Sequence, residues 1–349
     1  MKTSVKESER RTTSSDRREP VGASTSSNPQ IPVRIKTILV PLDFSRAAMQ
    51  AVSYAVSLAK KFGATIHLVH VNALDEACAV QGAGHLMREC AESVAFLQER
   101  LAEVQRKHVP SFWPENCHVR TGQAYQEICG LARELEADLI VLATRGHTGL
   151  KRIVLGSTAE RVVRFTPCPV LVVRQRKRKG PIALDLVTSS RKLAIRKILV
   201  PVDFSQCGMA GAIYASLLAK TFNAKLCLFH ALQPLAPMLM DRISANLSGR
   251  DETSLASARV DMEVFTKLDF LRGVKCEIEI RIGYPVDEIC GAASRPDIDL
   301  VVTSTHGRTG FNRMLLGSVA EHIVRYAEGP VLVVPSQCAV NPGKNVRPR

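Results

Sequence analysis

The sequence predicts an α/β protein built from two copies of one open, parallel-sheet domain, and three observations carry that expectation. Short β-rich apolar runs alternate with stretches of helical periodicity. The runs are apolar almost throughout, as strands covered on both faces are. The whole pattern also occurs twice. Residues 36–45, KTILVPLDFS, return as 196–205, RKILVPVDFS, with seven identities in ten at an offset of 160. Residues 146–164, GHTGLKRIVLGSTAERVVR, return as 307–325, GRTGFNRMLLGSVAEHIVR, with eleven identities in nineteen at an offset of 161. Between these blocks RTGQAYQEICG (120–130) parallels RIGYPVDEICG (281–291), and ADLIVLATRG (137–146) parallels IDLVVTSTHG (298–307).

In the first copy, residues 38–42 read as a strand, and Ser45 opens a helix whose apolar positions recur at helical spacing up to Gly63. A second strand follows over 65–71, a longer amphipathic helix over 90–107, a short extended piece over 118–120 and a helix over 126–135. Residues 139–143 and 170–173 supply two further buried strands. The second copy repeats this order, with its long middle helix placed within 254–271. The expected organisation is a basic tail (1–35), a first domain (36–173), a basic linker (174–195), a second domain (196–335) and a C-terminal tail (336–349), each domain large enough for its own core.

Net charge is +14, which raises the question of nucleic-acid binding. The excess is +3 in 1–35, +8 in 174–197 and +3 in 335–349, so the two domain bodies are close to neutral. Basicity confined to tails and to the run Arg174, Arg176, Lys177, Arg178, Lys179 does not outline a groove-binding face, and no specific nucleic-acid partner is expected. No apolar run is long enough to span a membrane, and the charged N-terminus has no apolar stretch of the signal-peptide kind. Ten cysteines without a C-x-x-C pair fit buried thiols in a reducing compartment, so a cytoplasmic location is expected.

An open parallel sheet holds ligands at the carboxyl ends of its strands, where strand order reverses. There the first strand ends in Pro41, Leu42 and Asp43, copied as Pro201, Val202 and Asp203. The carboxylate can contact a ligand or organise the turn and cap the next helix. The fourth strand leads through Gly146 to Gly156-Ser157 at a helix start, and Gly307 and Gly317-Ser318 repeat this. Glycine allows close backbone approach, while helix N–H groups and a serine hydroxyl attract an anion, so the pair reads as a phosphate cradle. Neither copy has the G-x-x-x-x-G-K-[ST] spacing of a P-loop engine.

These residues resemble the universal stress protein family over nearly the whole chain outside the tails. Its opening strand is similar to residues 40–45 and 200–205. Its nucleotide-binding branch carries G-x2-G-x9-G-[ST], which reads here as Ala143, Gly146, Gly156, Ser157 and as Ser304, Gly307, Gly317, Ser318, with the leading glycine replaced in both copies. The resemblance implies a Rossmann-like, adenine nucleotide alpha hydrolase-like fold of strand order 3-2-1-4-5 and pairing of the domains through their last strands. It further implies Asp43 and Asp203 near ribose and phosphates, the Gly-Ser pairs at the phosphates, and Val71 or Ala231 near adenine.

Other candidates rank lower. His147 is matched by Arg308 and His306 by Arg145, which suits loop contacts better than a general base. His70 and His230 recur as strand-end residues, and Cys129 and Cys290 as core thiols. No repeated His/Asp/Ser or His/Cys set suggests nucleophilic catalysis, and no metal cage is outlined. The sequence therefore points to a tandem stress-response regulator binding ATP with Mg2+, hydrolysing it slowly or not at all, with intrachain domain pairing and homo-oligomers as further partners. A dimerisation module without nucleotide and a slow adenine-nucleotide hydrolase or phosphotransferase are the alternatives.

Overall fold

The computed structural model describes residues 34–72, 83–109, 114–144, 155–174, 193–233, 247–307 and 316–339. The predicted N-terminal tail up to residue 33, the run Arg176–Lys179 and residues 340–349 lie outside the described residues. The first half runs β1 (Thr37–Pro41), α1 (Arg46–Phe62), β2 (Thr65–Asn72), α2 (Ala83–His108), β3 (Cys117–Thr121), α3 (Ala124–Glu134), β4 (Leu139–Ala143), α4 (Ser157–Phe165) and β5 (Val170–Val173). The second runs β6 (Lys197–Pro201), α5 (Gln206–Phe222), β7 (Lys225–Leu232), α6 (Leu247–Thr266), β8 (Lys275–Ile282), α7 (Pro285–Ala293), β9 (Leu300–Ser304), α8 (Ser318–Tyr326) and β10 (Val331–Val334).

The apolar runs become strands because each residue has a core to enter on its own side. In β1, Ile38 and Val40 face the layer that includes α1 while Leu39 faces the layer of α3 and α4, and all three are fully buried. Full burial of one such side chain stabilises the fold by about 1.5–3 kcal/mol. Helix α1 starts where the Ser45 hydroxyl accepts from the Ala48 N–H at 3.2 Å, and stops at Gly63, whose φ of 67° is left-handed. Its copy α5 starts at Ser205 and stops at Asn223, with φ 53°, asparagine being the side-chain-bearing residue that best tolerates this cap.

Each half has parallel strand order 3-2-1-4-5, and the ten strands form one sheet, β3-β2-β1-β4-β5-β10-β9-β6-β7-β8. At the centre β5 and β10 run antiparallel, Val172 opposite Val331 and Val170 opposite Val333. The Arg174 guanidinium, just past β5, donates to the carbonyls of Val324 and Ala327 at the end of α8, with Nη1 at 3.1 Å from the latter. A cation on the last carbonyls of a helix is favoured by its dipole. Arg325 also approaches Glu160 of α4 at 3.8 Å.

Both long middle helices begin earlier than their apolar periodicity predicts, at Ala83 rather than 90 and at Leu247 rather than 254. The opening LSGRDETS of α6 has no apolar repeat to reveal it. That helix ends at Thr266, inside the expected span, and residues 269–271 form a separate 3-10 turn.

Candidate functional site

Strand order reverses at β1, which lies between β2 and β4, and at β6 in the second half. Pro41 and Pro201 are the last residues of these strands. Three residues on, the chain bends through Phe44 (φ 59°) and Phe204 (φ 60°), left-handed positions that cost a side-chain-bearing residue about 1 kcal/mol or more. The surroundings hold that bend. Asp43 Oδ1 accepts from the Ser45 N–H at 2.9 Å, and Asp203 Oδ1 from the Ser205 N–H at 3.0 Å. Each phenylalanine ring lies against a histidine, Phe44 on His70 at 4.9 Å and Phe204 on His230 at 4.8 Å between centroids. The Nδ1 atoms of His70 and His230 stand 2.7 Å from the carbonyls of Leu42 and Val202. The repeated histidines thus brace the turn that carries the carboxylates.

At the ends of β4 and β9 stand Ala143 and Ser304, and Ser304 Oγ donates to the His306 carbonyl at 2.8 Å, turning its hydroxyl into its own loop. Gly156 and Gly317 precede α4 and α8, their N–H groups donating to Thr144 O at 2.9 Å and Thr305 O at 2.8 Å. A Cβ on Gly317 would stand 3.1 Å from Thr305 O, and one on Gly156 3.2 Å from Thr144 O. Ser157 and Ser318 open the helices and are exposed, beside the N–H groups of the first turn. Gly307 packs on the carboxylate, since a Cβ there would stand 2.8 Å from Asp203 Oδ2. The second half therefore gathers Asp203, Gly307 and Gly317 at one point. Val71 and Ala231 lie near the ends of β2 and β7, in register with Arg120 and Arg281 of the edge strands. Gly146, Arg145, His147 and Arg308 lie outside the described residues.

His306 Nδ1 meets Thr305 Oγ1 at 3.0 Å and Ser336 Oγ at 3.1 Å, tying its loop to the chain after β10. Cys129 is buried, and burial pushes its thiol up to about 11. Sequence reasoning missed a pair of imidazoles, His67 Nδ1 and His118 Nε2, 3.1 Å apart on β2 and β3. Burial, then the adjoining His67, pushes His118 down to about 4. Repetition could not have found the pair, because Cys227 and Glu279 stand at those places in the second half. Among the described residues no group of three or more His, Cys, Asp or Glu could hold a metal ion, and no helix is long and apolar enough to cross a membrane.

One continuous sheet, with a carboxylate-bearing turn at the reversal point of each half and a glycine–serine helix start beside it, defines a tandem α/β protein of Rossmann-like fold. Comparison with known proteins narrows the class. The chain belongs to the universal stress protein family, whose model matches it twice, over residues 34–174 and 194–335. A universal stress protein of Methanocaldococcus jannaschii is 35% identical over 148 residues, which are 41% of this chain and 85% of that protein. Universal stress protein G of Escherichia coli O157:H7 is 33% identical over 144 residues, 40% of this chain and 99% of the relative. The crystal structure of a universal stress protein from Archaeoglobus fulgidus superposes with a TM-score of 0.59 at 20% identity, covering 87% of this chain and 98% of that one, a likeness of fold.

Proposed function

We propose that this universal stress protein is a stress-response sensor or regulator that binds ATP at the carboxyl ends of its strands and turns it over slowly or not at all. The observation that carries this reading is the close approach of Asp203, Gly307 and Gly317, where the Asp203 carboxylate leaves no room for a Cβ on Gly307 and the Thr305 carbonyl leaves little for one on Gly317. A nucleotide fits such a donor set. Asp43 or Asp203 would accept from ribose hydroxyls, while the N–H and hydroxyl of Ser157 or Ser318, beside Gly156 or Gly317, would hold phosphates. Pro41 with Val71, or Pro201 with Ala231, would border the adenine. Mg2+ would arrive on the phosphates, as it does where few protein ligands are supplied.

Slow turnover follows from the same chemistry. The repeated imidazoles that could act as general bases, His70 and His230, are engaged by main-chain carbonyls of the turn. The two halves would act as one body through the β5–β10 pairing, within the organisation 36–173 and 196–335 given above.

Calorimetry and thermal melting with ATP and Mg2+ test the reading. Preferential binding to the native state should raise the melting temperature as nucleotide is added. Neither heat nor stabilisation at millimolar ATP would refute it, and rapid multiple-turnover phosphate release would refute the regulator in favour of an enzyme.

A further inference from the structure

Beside the Asp203–Phe204–Ser205 turn the second half opens a cleft of about 670 Å³, a volume typical of small-molecule sites. It shares Asp203 with the nucleotide site proposed above, but Ala231, Ser304, Gly317 and Ser318 do not line it. One wall carries Phe204 and His230, and the other is α6, with Ser257, Asp261 and Val264. Among the described lining residues two are carboxylates and none is lysine or arginine, so the cleft favours a cation and disfavours a phosphate. Val264 is 58% exposed, an apolar surface at the cleft's edge.

The first half shows what such a place accommodates. At the offset of 161, fully buried Leu101 of α2 corresponds to fully buried Met262 of α6, and the same register sets Arg100 at the place of Asp261 and Phe96 at that of Ser257. The Arg100 guanidinium carbon lies 4.1 Å from the ring centroid of Phe44, the counterpart of Phe204, and 5.8 Å from that of Phe96. The first half thus covers the ring of its left-handed phenylalanine with a guanidinium from its own helix. The second half keeps the ring, replaces the arginine by a carboxylate and the bulky phenylalanine by serine, and has a cleft.

We propose that this cleft binds a small organic cation, a guanidinium or ammonium on an apolar body. The head group stacks on Phe204 and pairs with Asp261, and the body covers Val264 and Leu268. Cation–π attraction and a charge-assisted hydrogen bond reinforce each other in this arrangement, and guanidinium satisfies both by its flat shape.

The test is titration of the full, nucleotide-free chain with n-butylguanidinium and with n-butylurea, its neutral isostere. One butylguanidinium per chain is expected, with butylurea about tenfold weaker or worse. Asp261 is exposed on α6, so its variants keep the fold, which circular dichroism verifies. Asp261→Asn should weaken butylguanidinium about tenfold, and Asp261→Arg, which recreates the first half's arrangement, should abolish binding. N-acetyl-argininamide carries the same head group on a peptide. Its tighter binding would identify a protein-borne arginine as the occupant, and its weaker binding a free small guanidinium. No heat with butylguanidinium, equal binding of butylurea, or unchanged binding by Asp261→Arg overturns the proposal. None of these bears on the nucleotide reading, which is scored separately by stabilisation with ATP.

Discussion

The two halves build the same turn at the end of the first strand yet hold its carboxylate differently. In the second half Asp203 Oδ1 accepts from the Ser205 hydroxyl at 2.7 Å as well as from its N–H, and lies where a Cβ on Gly208 would approach within 2.4 Å. In the first half that helix position is Ala48, which is buried, and its methyl group denies the carboxylate the same seat. A glycine in the first turn of α5 therefore sacrifices helix propensity to let an acid rest on the helix. One substitution separates two geometries of an otherwise repeated site, so identity of motif does not guarantee identity of binding.

The comparison breaks most visibly at Arg174, because Pro335 stands in the corresponding place after β10. Arg174→Ala should remove two charge-assisted hydrogen bonds between the halves and cost about 2–3 kcal/mol in urea unfolding, whereas Pro335→Ala should cost less. An equal cost for both would mean that the seam is held by apolar strand pairing alone.

Gly156→Val and Gly317→Val, tested one at a time, sharpen the comparison at the phosphates. Each should weaken nucleotide at its own half by at least tenfold, about 1.4 kcal/mol. The larger loss is expected from Gly156→Val, because Ala143 leaves more room for a ligand than Ser304. Equal losses would show that the Ser304 hydroxyl, already turned to His306, does not narrow its site.

Acid should separate the halves as well. His118 is depressed to about 4 by burial and by His67, whereas the unfolded chain binds that proton near the ordinary imidazole value of about 6.5. The unfolded state therefore holds more protons between about pH 6.5 and 4, so this contribution is complete above that window and is lost as pH falls through it. Both rings are half-open to water, which limits the loss to about 1 kcal/mol. His118→Gln should flatten the stability profile between pH 7 and 4, and an unchanged profile would show that His118 takes up its proton at the same pH in the folded and unfolded chain.

The smallest effect on stability belongs to Gly208→Ala, which makes the second turn like the first. Helix propensity gains up to about 1 kcal/mol and displacement of Asp203 offsets part of it, so stability should move by about 0.5 kcal/mol or less. Affinity at the second half should change more than stability does. If it does not, the seat of the carboxylate is irrelevant to binding.

Much of this architecture was legible because the repeat and the apolar runs report the same thing. The bounds 139–143 and 170–173 match β4 and β5 because a strand buried on both faces announces itself by composition. The start of α6 was hidden by its polar opening, LSGRDETS. In the site, Asp43, Asp203 and the Gly-Ser pairs could be named from position, but the left-handed Phe44 and Phe204 could not, since phenylalanine gives no local sign of positive φ. Arg100 and Asp261 escaped notice for another reason. They are charged residues on a long helix, and only the fold shows that the same place lies beside the Phe44 and Phe204 turns in both copies.

The antiparallel meeting of β5 and β10 has a consequence for access. Every other pairing is parallel, so this single reversal points β1 and β6 in opposite directions and opens the two candidate sites on opposite margins of the sheet. No single nucleotide can touch both, and a flat partner surface can meet only one at a time. A partner that reads the occupancy of both must reach around the molecule, or sense a change carried across the four residues of each central strand.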